Sequence, residues 1–186
     1  MNKKKQEKET ENIIFPDKYI VLGADLSLRR PSFCSLTVET VDKSAKITNI
    51  TFTTVDNKTN KKKTHGELLD DIVQGFNKAY SCKEYCYLVR ENEIMKVKVP
   101  SERSLSKVVG VLDWYCWLAF KKEWYSIYPM TIKKLITGSG KAEKSEVALA
   151  LEKYIGKHEY KCDDESDAAA VAIAWLIQQG QIKEIS

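Results

Sequence analysis

The chain has 186 residues, 43% of them hydrophobic and 30% charged, with a formal net charge of +4. That is the size and balance of one soluble domain with a full core. No apolar run reaches the roughly eighteen residues that span a bilayer. No apolar segment follows the N-terminal lysines, so a secretory signal is not expected. The mild basicity permits nucleic-acid binding without demonstrating it.

Residues 1 to about 14 are charged and without period and are expected to form a disordered tail, leaving 15–186 as a single domain. The apolar stretch Tyr19-Ile20-Val21-Leu22-Gly23-Ala24 then ends on Asp25. Apolar residues at successive positions suit a strand covered on both faces. A second strand is expected over 32–39, where apolar and polar residues alternate. A third is expected over 46–54, rich in β-branched residues. Val41-Asp42-Lys43-Ser44 reads as the hairpin turn between them. A lysine-rich loop covers 56–64.

From residue 65 to 80 the period changes. Leu68, Leu69, Ile72, Val73, Phe76 and Ala79 recur at helical spacing. Tyr85 to Val89 forms a further buried strand running into Arg90 and Glu91. Because it is reached through a helix, it should lie parallel to the first strand. A long helix over 101–121 is apolar almost all round, which implies burial on both sides. Its second face packs either against a partner subunit or inside the same domain. Trp124 to Pro129 reads as the fifth strand. A short helix over about 130–136 and a further helix over about 142–155 follow, and an alanine-rich helix begins near Asp164.

Five cysteines (Cys34, Cys82, Cys86, Cys116, Cys162) are an odd number lying mostly in apolar patterns, as expected for reduced thiols in a cytoplasmic protein. The paired Cys/His spacings of a zinc site are missing.

Acidic residues fall at three matching places in this order. Asp25 closes the first strand and Glu91 closes the fourth. Asp164 and Asp167 share one face at the start of the last helix. Taken singly, Asp25 also suits a turn, and the helical pair suits the macrodipole. Taken together, the four carboxylates would converge at the carboxyl edge of the sheet, where α/β sites lie. Such a cluster would repel itself unless hard divalent cations met it, and two ions about 3.5–4 Å apart promote phosphodiester hydrolysis. The segment 132–147 adds Lys133, Lys134, Lys141 and Lys144 around a Gly138-Ser139-Gly140 turn, a site for phosphate-backbone contact. It lacks the spacing of a P-loop.

The pattern over about 18–180 resembles the RuvC-type Holliday-junction resolvases of the ribonuclease-H-like superfamily. Four places carry the resemblance: Leu22-Gly23-Ala24-Asp25-Leu26-Ser27, Leu88-Val89-Arg90-Glu91-Asn92, Ile132 to Val147, and Asp164-Glu165-Ser166-Asp167-Ala168. It implies a five-stranded mixed sheet, three strands antiparallel and then two parallel, flanked by helices. It implies that Asp25, Glu91, Asp164 and Asp167 hold two Mg2+ per site, with Mn2+ as a substitute. Lys133 and Lys144 match the family's basic residues near the scissile phosphate and the DNA backbone. The helix 101–121 matches the family's dimerisation helix.

The sequence departs from the family pattern in three places. Leu26 replaces the usual proline, the charged N-terminal tail is extra, and Glu93-Ile94-Met95 stands where the family often has an aromatic residue intruding between bases. Ile94 or Met95 would serve there as an apolar wedge. The implied activity is cleavage of four-way DNA junctions by paired symmetric nicks. Two other readings stay open: a nuclease of the same fold acting on other branched DNA or RNA–DNA hybrids, and a non-catalytic DNA-binding scaffold.

Overall fold

The computed structural model describes residues 13–41, 44–57, 63–80, 85–92 and 100–183, with side chains described from 104 onward in the last segment. Five strands, β1 (Lys18–Asp25), β2 (Ser32–Val41), β3 (Ser44–Thr54), β4 (Cys86–Glu91) and β5 (Trp124–Ile127), form one sheet in the order β3-β2-β1-β4-β5. The first three run antiparallel; β4 and β5 continue parallel to β1. The helices are α1 (His65–Ala79), α2 (Pro100–Phe120), α3 (Pro129–Thr137), α4 (Lys144–Ile155) and α5 (Asp163–Gln178). This is the mixed sheet expected above. Among the described residues, no helix is long and apolar enough to cross a membrane.

β1 is the central strand, and its unbroken apolar run is explained by cover on both sides. Tyr19 and Val21 enter a core shared with Val89 of β4 and with α3, α4 and α5. Leu22 and Ala24 enter the opposite core, with Leu88, Ile72 and Phe76 of α1 and Val108, Leu112 and Cys116 of α2. Alternation along the strands then sets the direction of every later side chain. Val89 and Glu91 turn toward α5, while Leu88 and Arg90 turn toward α2.

Gly23 sets the spacing between β1 and α5. A Cβ there would stand 2.4 Å from the backbone oxygen of Ala168 and 2.7 Å from the Cβ of Ala172. Only glycine on the strand and alanine on the helix permit this approach. The apolar helix α5, buried from Ala168 to Leu176, therefore lies directly across β1.

Several boundaries move. β2 and β3 reach Val41 and Ser44, which pair with each other; Asp42 and Lys43 lie outside the described residues. β4 runs on through Glu91, so that acid is the last residue of the strand. β5 stops at Ile127, and Pro129 opens α3, where its missing N–H costs nothing. α4 begins at Lys144, two residues later than the sequence pattern suggests, because Glu143 caps it: its side chain accepts from the N3 amide while Glu146 returns the bond to Glu143. Ile13 and Phe15 already pack against the core, while residues 1–12 lie outside the described set.

The expectation that α2 is buried all round does not hold within one chain. Val108, Leu112 and Cys116 are buried against the sheet, but Trp114 is 64%, Trp117 53% and Leu118 56% exposed. These three stand at i, i+3 and i+4 and share one outward stripe.

Candidate functional site

The carboxyl edge of the sheet brings the predicted acids together. Ala24 of β1 pairs with Arg90 of β4, so Asp25 and Glu91 follow side by side at the ends of parallel strands. Both turn toward α5, as their strand positions require. The close seating of α5 on Gly23 sets its first turn above them.

The electrostatics report this convergence. Burial, then the charges of Asp167, Asp164 and Glu91, push the Asp25 carboxyl up to about 7, with Lys144 pulling the other way. The Glu91 carboxyl is raised by partial burial and by Asp167, and Lys144 and Lys133 oppose the rise. Asp167, Asp164 and Glu91 therefore all act on Asp25, and Asp167 acts on Glu91 as well. The Lys144 ammonium donates to Asp167 Oδ2, and that bond is the main reason its own pKa is raised; Asp25 and Asp163 add to the effect.

The other basic residues fall into two groups. Lys133 lies within the field of Glu91. Lys134 and Lys141 are exposed on the rim, at the end of α3 and in the turn behind it. That turn is held by its own polar groups: Thr137 Oγ1 accepts from the Ser139 amide at 3.1 Å, and the Gly138 amide donates to Lys134 O at 2.9 Å. Gly138 adopts φ of 82°, a left-handed conformation open to glycine at little cost.

Asp164 and Asp167 do more than suit the helix dipole. Asp167 meets Lys144, and Asp164 Oδ2 lies 3.4 Å from Arg30 Nε. Among the described residues, no three His, Cys, Asp or Glu side chains stand in the arrangement of a metal site. The two helical carboxylates face cationic side chains instead. The donor chemistry nonetheless fits a hard divalent ion: four carboxylates, one of them raised to about 7 by burial and by the other three.

Three contacts near the edge were not anticipated from the sequence. Arg30 comes from the β1–β2 loop, where no periodicity marks it. Arg90 forms a two-pronged pair with Asp113 of α2, at 2.6 Å and 3.2 Å. Glu165 is only 4% exposed. Its carboxylate accepts from the Lys161 amide at 2.8 Å and from Thr54 Oγ1 at 3.5 Å. Thr54 Oγ1 in turn lies 2.8 Å from Ser32 Oγ, and Ser32 pairs with Asp25 across the sheet. This chain of contacts ties the first turn of α5 to the strand ends. Glu93, Ile94 and Met95 lie outside the described residues.

Sheet order and helix placement define a ribonuclease-H-like fold. The family model described as crossover junction endodeoxyribonuclease RuvC matches residues 21–175, and the chain belongs to that family. Relatives of that name include one from Wolinella succinogenes, 48% identical over 50 residues, which is 26% of this chain and 31% of the relative. Another, from Sulfurovum sp., is 43% identical over 53 residues, 28% of this chain and 33% of the relative. Each matched segment thus spans about a third of the relative's length. Among solved structures, Thermus thermophilus RuvC superposes with a TM-score of 0.69 at 19% identity, covering 89% of this chain and 99% of that one. The same protein in complex with Holliday junction substrate gives 0.68 at 18% identity, with 90% and 99% covered. At that identity the likeness concerns the fold.

Proposed function

We propose that this protein is a divalent-metal-dependent, structure-selective DNA endonuclease that resolves four-way junctions by paired symmetric nicks. One observation carries the reading. A half-buried aspartate at the end of the central strand carries a carboxyl raised to about 7 by burial and by three other acids from two further elements. Folding keeps such a cluster at a cost, which is a mark of a site.

In this reading Asp25, Glu91, Asp164 and Asp167 hold the ions, two per site, Mg2+ by preference with Mn2+ as a substitute. Bound there, such ions supply Lewis acidity at the scissile phosphate and activate water. Binding requires Asp167 and Asp164 to turn from Lys144 and Arg30 toward the ions. The Lys144 ammonium then remains at the edge, beside Lys133, to offset charge developing on the phosphate. Lys134 and Lys141, exposed on the rim, contact the DNA backbone without reading bases.

The outward stripe Trp114, Trp117 and Leu118 on α2 pairs with the same stripe of a second copy. A two-fold dimer of this kind presents two sites to a symmetric junction. That T. thermophilus RuvC is known bound to Holliday junction substrate supports the choice of DNA.

A labelled synthetic four-way junction tests the reading. With Mg2+ the protein should produce paired, ligatable nicks, and without it none. Asp25→Asn should bind the junction and leave it uncut. A wild-type protein inactive in Mg2+, or an Asp25→Asn variant that cuts at the wild-type rate, contradicts the proposal.

A further inference from the structure

Arg30 is held in place by more contacts than a surface ion pair needs. The loop that carries it is fixed on both sides. Leu26 and Leu28 pack into the core between the sheet and α1/α2. Asn57, a buried amide, donates from Nδ2 to Leu28 O at 3.2 Å and to Leu68 O at 3.3 Å, and its backbone amide donates to Arg29 O at 2.8 Å. The Val55 amide donates to Pro31 O at 3.0 Å, and the Arg30 amide donates to Ser27 Oγ at 2.9 Å. A buried polar side chain spent on holding a loop marks that loop's conformation as set, and this one delivers Arg30 to the acidic edge.

The contact it makes there is incomplete. Arg30 Nε is buried and forms no hydrogen bond; it faces Asp164 Oδ2 at 3.4 Å as a charge contact. Both side chains remain about a quarter to a third exposed, at 29% and 26%. A pair this open adds little to folding. A guanidinium has a planar fork of donors that suits phosphate oxygens as well as carboxylates, and it stays charged at every relevant pH.

We propose that Arg30 is a phosphate-contacting residue of the cleavage edge, with Asp164 as its resting partner. The inference rests on the nuclease reading above and adds to it. When Asp164 turns to a divalent ion, Arg30 loses its partner and its fork meets a non-bridging oxygen of the DNA backbone. Ion and DNA thereby become linked through one side chain. The ion competes with Arg30 for Asp164, and DNA phosphate relieves that competition.

The test uses the full chain and three proteins: wild type, Arg30→Gln and Arg30→Lys. Titration of the DNA-free protein with Mn2+ by calorimetry should show Arg30→Gln binding the ion about 3- to 10-fold more tightly than wild type, because Asp164 is no longer shared. Binding of a synthetic four-way junction is then measured against salt, once with Ca2+ and once with EDTA. With Ca2+, Arg30→Gln should lose about one unit of the log–log salt slope. With EDTA, wild type and Arg30→Gln should bind alike. Arg30→Lys should restore the slope.

Equal Mn2+ affinity in wild type and Arg30→Gln, or a loss of junction affinity that is the same with Ca2+ and EDTA, overturns the role of Arg30 and leaves the nuclease reading standing. A wild-type protein that takes up no Mn2+ overturns the nuclease reading, and this proposal with it.

Discussion

The absent Cβ of Gly23 and the backbone oxygen of Ala168 would be separated by 2.4 Å if the glycine were alanine. Gly23 lies two residues before Asp25 on the same face of β1, and Ala168 directly follows Asp167 on α5. This contact therefore sets the distance between the strand acid and the helix acids.

Gly23→Ala should push α5 outward, because the obstructing atoms are backbone and a short side chain that cannot fold away. Urea unfolding should show a loss of about 1–3 kcal/mol. Junction cleavage should fall further than the fraction unfolded explains. Gly110→Ala is the control: nothing lies within 4 Å of its Cβ position in α2. There, helix propensity should add up to about 1 kcal/mol.

The raised Asp25 carboxyl sets the pH dependence of the ion-free protein. Its folded pKa of about 7 lies above the ordinary value of 3.8, so between these values the folded state binds more proton than the unfolded state. Stability should therefore decline as pH rises across that window and level off above it. The fall from this group is at most about 4 kcal/mol, and Glu91, also raised, acts in the same direction. Thermal melting in EDTA from pH 4 to 8 reads this out. Asp25→Asn should flatten the slope and melt higher than wild type at pH 7.5, and Mg2+ should raise the wild-type midpoint there. A wild-type profile that climbs from pH 5 to 7 would run against a raised Asp25 carboxyl.

The Arg90–Asp113 pair joins the strand of Glu91 to α2. Arg90 is 16% exposed and Asp113 45%, so the pair is screened on one side only. Asp113→Ala should lower stability by about 1–2 kcal/mol, partly by leaving the Arg90 charge half-buried without its partner. Because Glu91 is the next residue, cleavage should weaken too. Equilibrium unfolding alongside single-turnover cutting separates the two effects.

Glu165 offers a sharper separation. Glu165→Gln keeps an oxygen acceptor for the Lys161 amide or the Thr54 hydroxyl, whereas Glu165→Ala leaves both donors without it. The alanine variant should lose about 1–3 kcal/mol and bind Mn2+ more weakly, as the first turn of α5 loosens. The glutamine variant should recover most of the Mn2+ affinity. If both variants bind Mn2+ like wild type, Glu165 does not position the acids.

The elements that place the acids are readable from pattern. The apolar run before Asp25, the buried run before Glu91 and the alanine-rich helix after Asp167 each announce their type through period and composition. Strand–helix–strand order then puts their ends on one edge. What pattern does not reveal is set by tertiary contact. Arg30 sits in a loop with no period, and its direction comes from Asn57, 27 positions later. Asp113 and Glu165 look like ordinary polar positions on helices, one meeting a guanidinium and the other buried against a hydroxyl and a backbone amide. The all-round apolarity of α2 reads as burial on both sides, yet a face that meets a second copy has the same composition as a face inside a core. Trp114, Trp117 and Leu118 are open in the single chain for that reason in our reading, and Trp117→Asp should shift the sedimentation coefficient from dimer to monomer.

Calorimetric titration with Mn2+ at pH 7.5 tests the central claim most directly, since it asks whether four acids from three elements act as one ion-binding site. The account predicts two ions per wild-type protomer and a loss of at least tenfold in affinity, about 1.4 kcal/mol, for Asp25→Asn. A wild-type protein that binds no Mn2+, or an Asp25→Asn variant that binds it equally well, would contradict it.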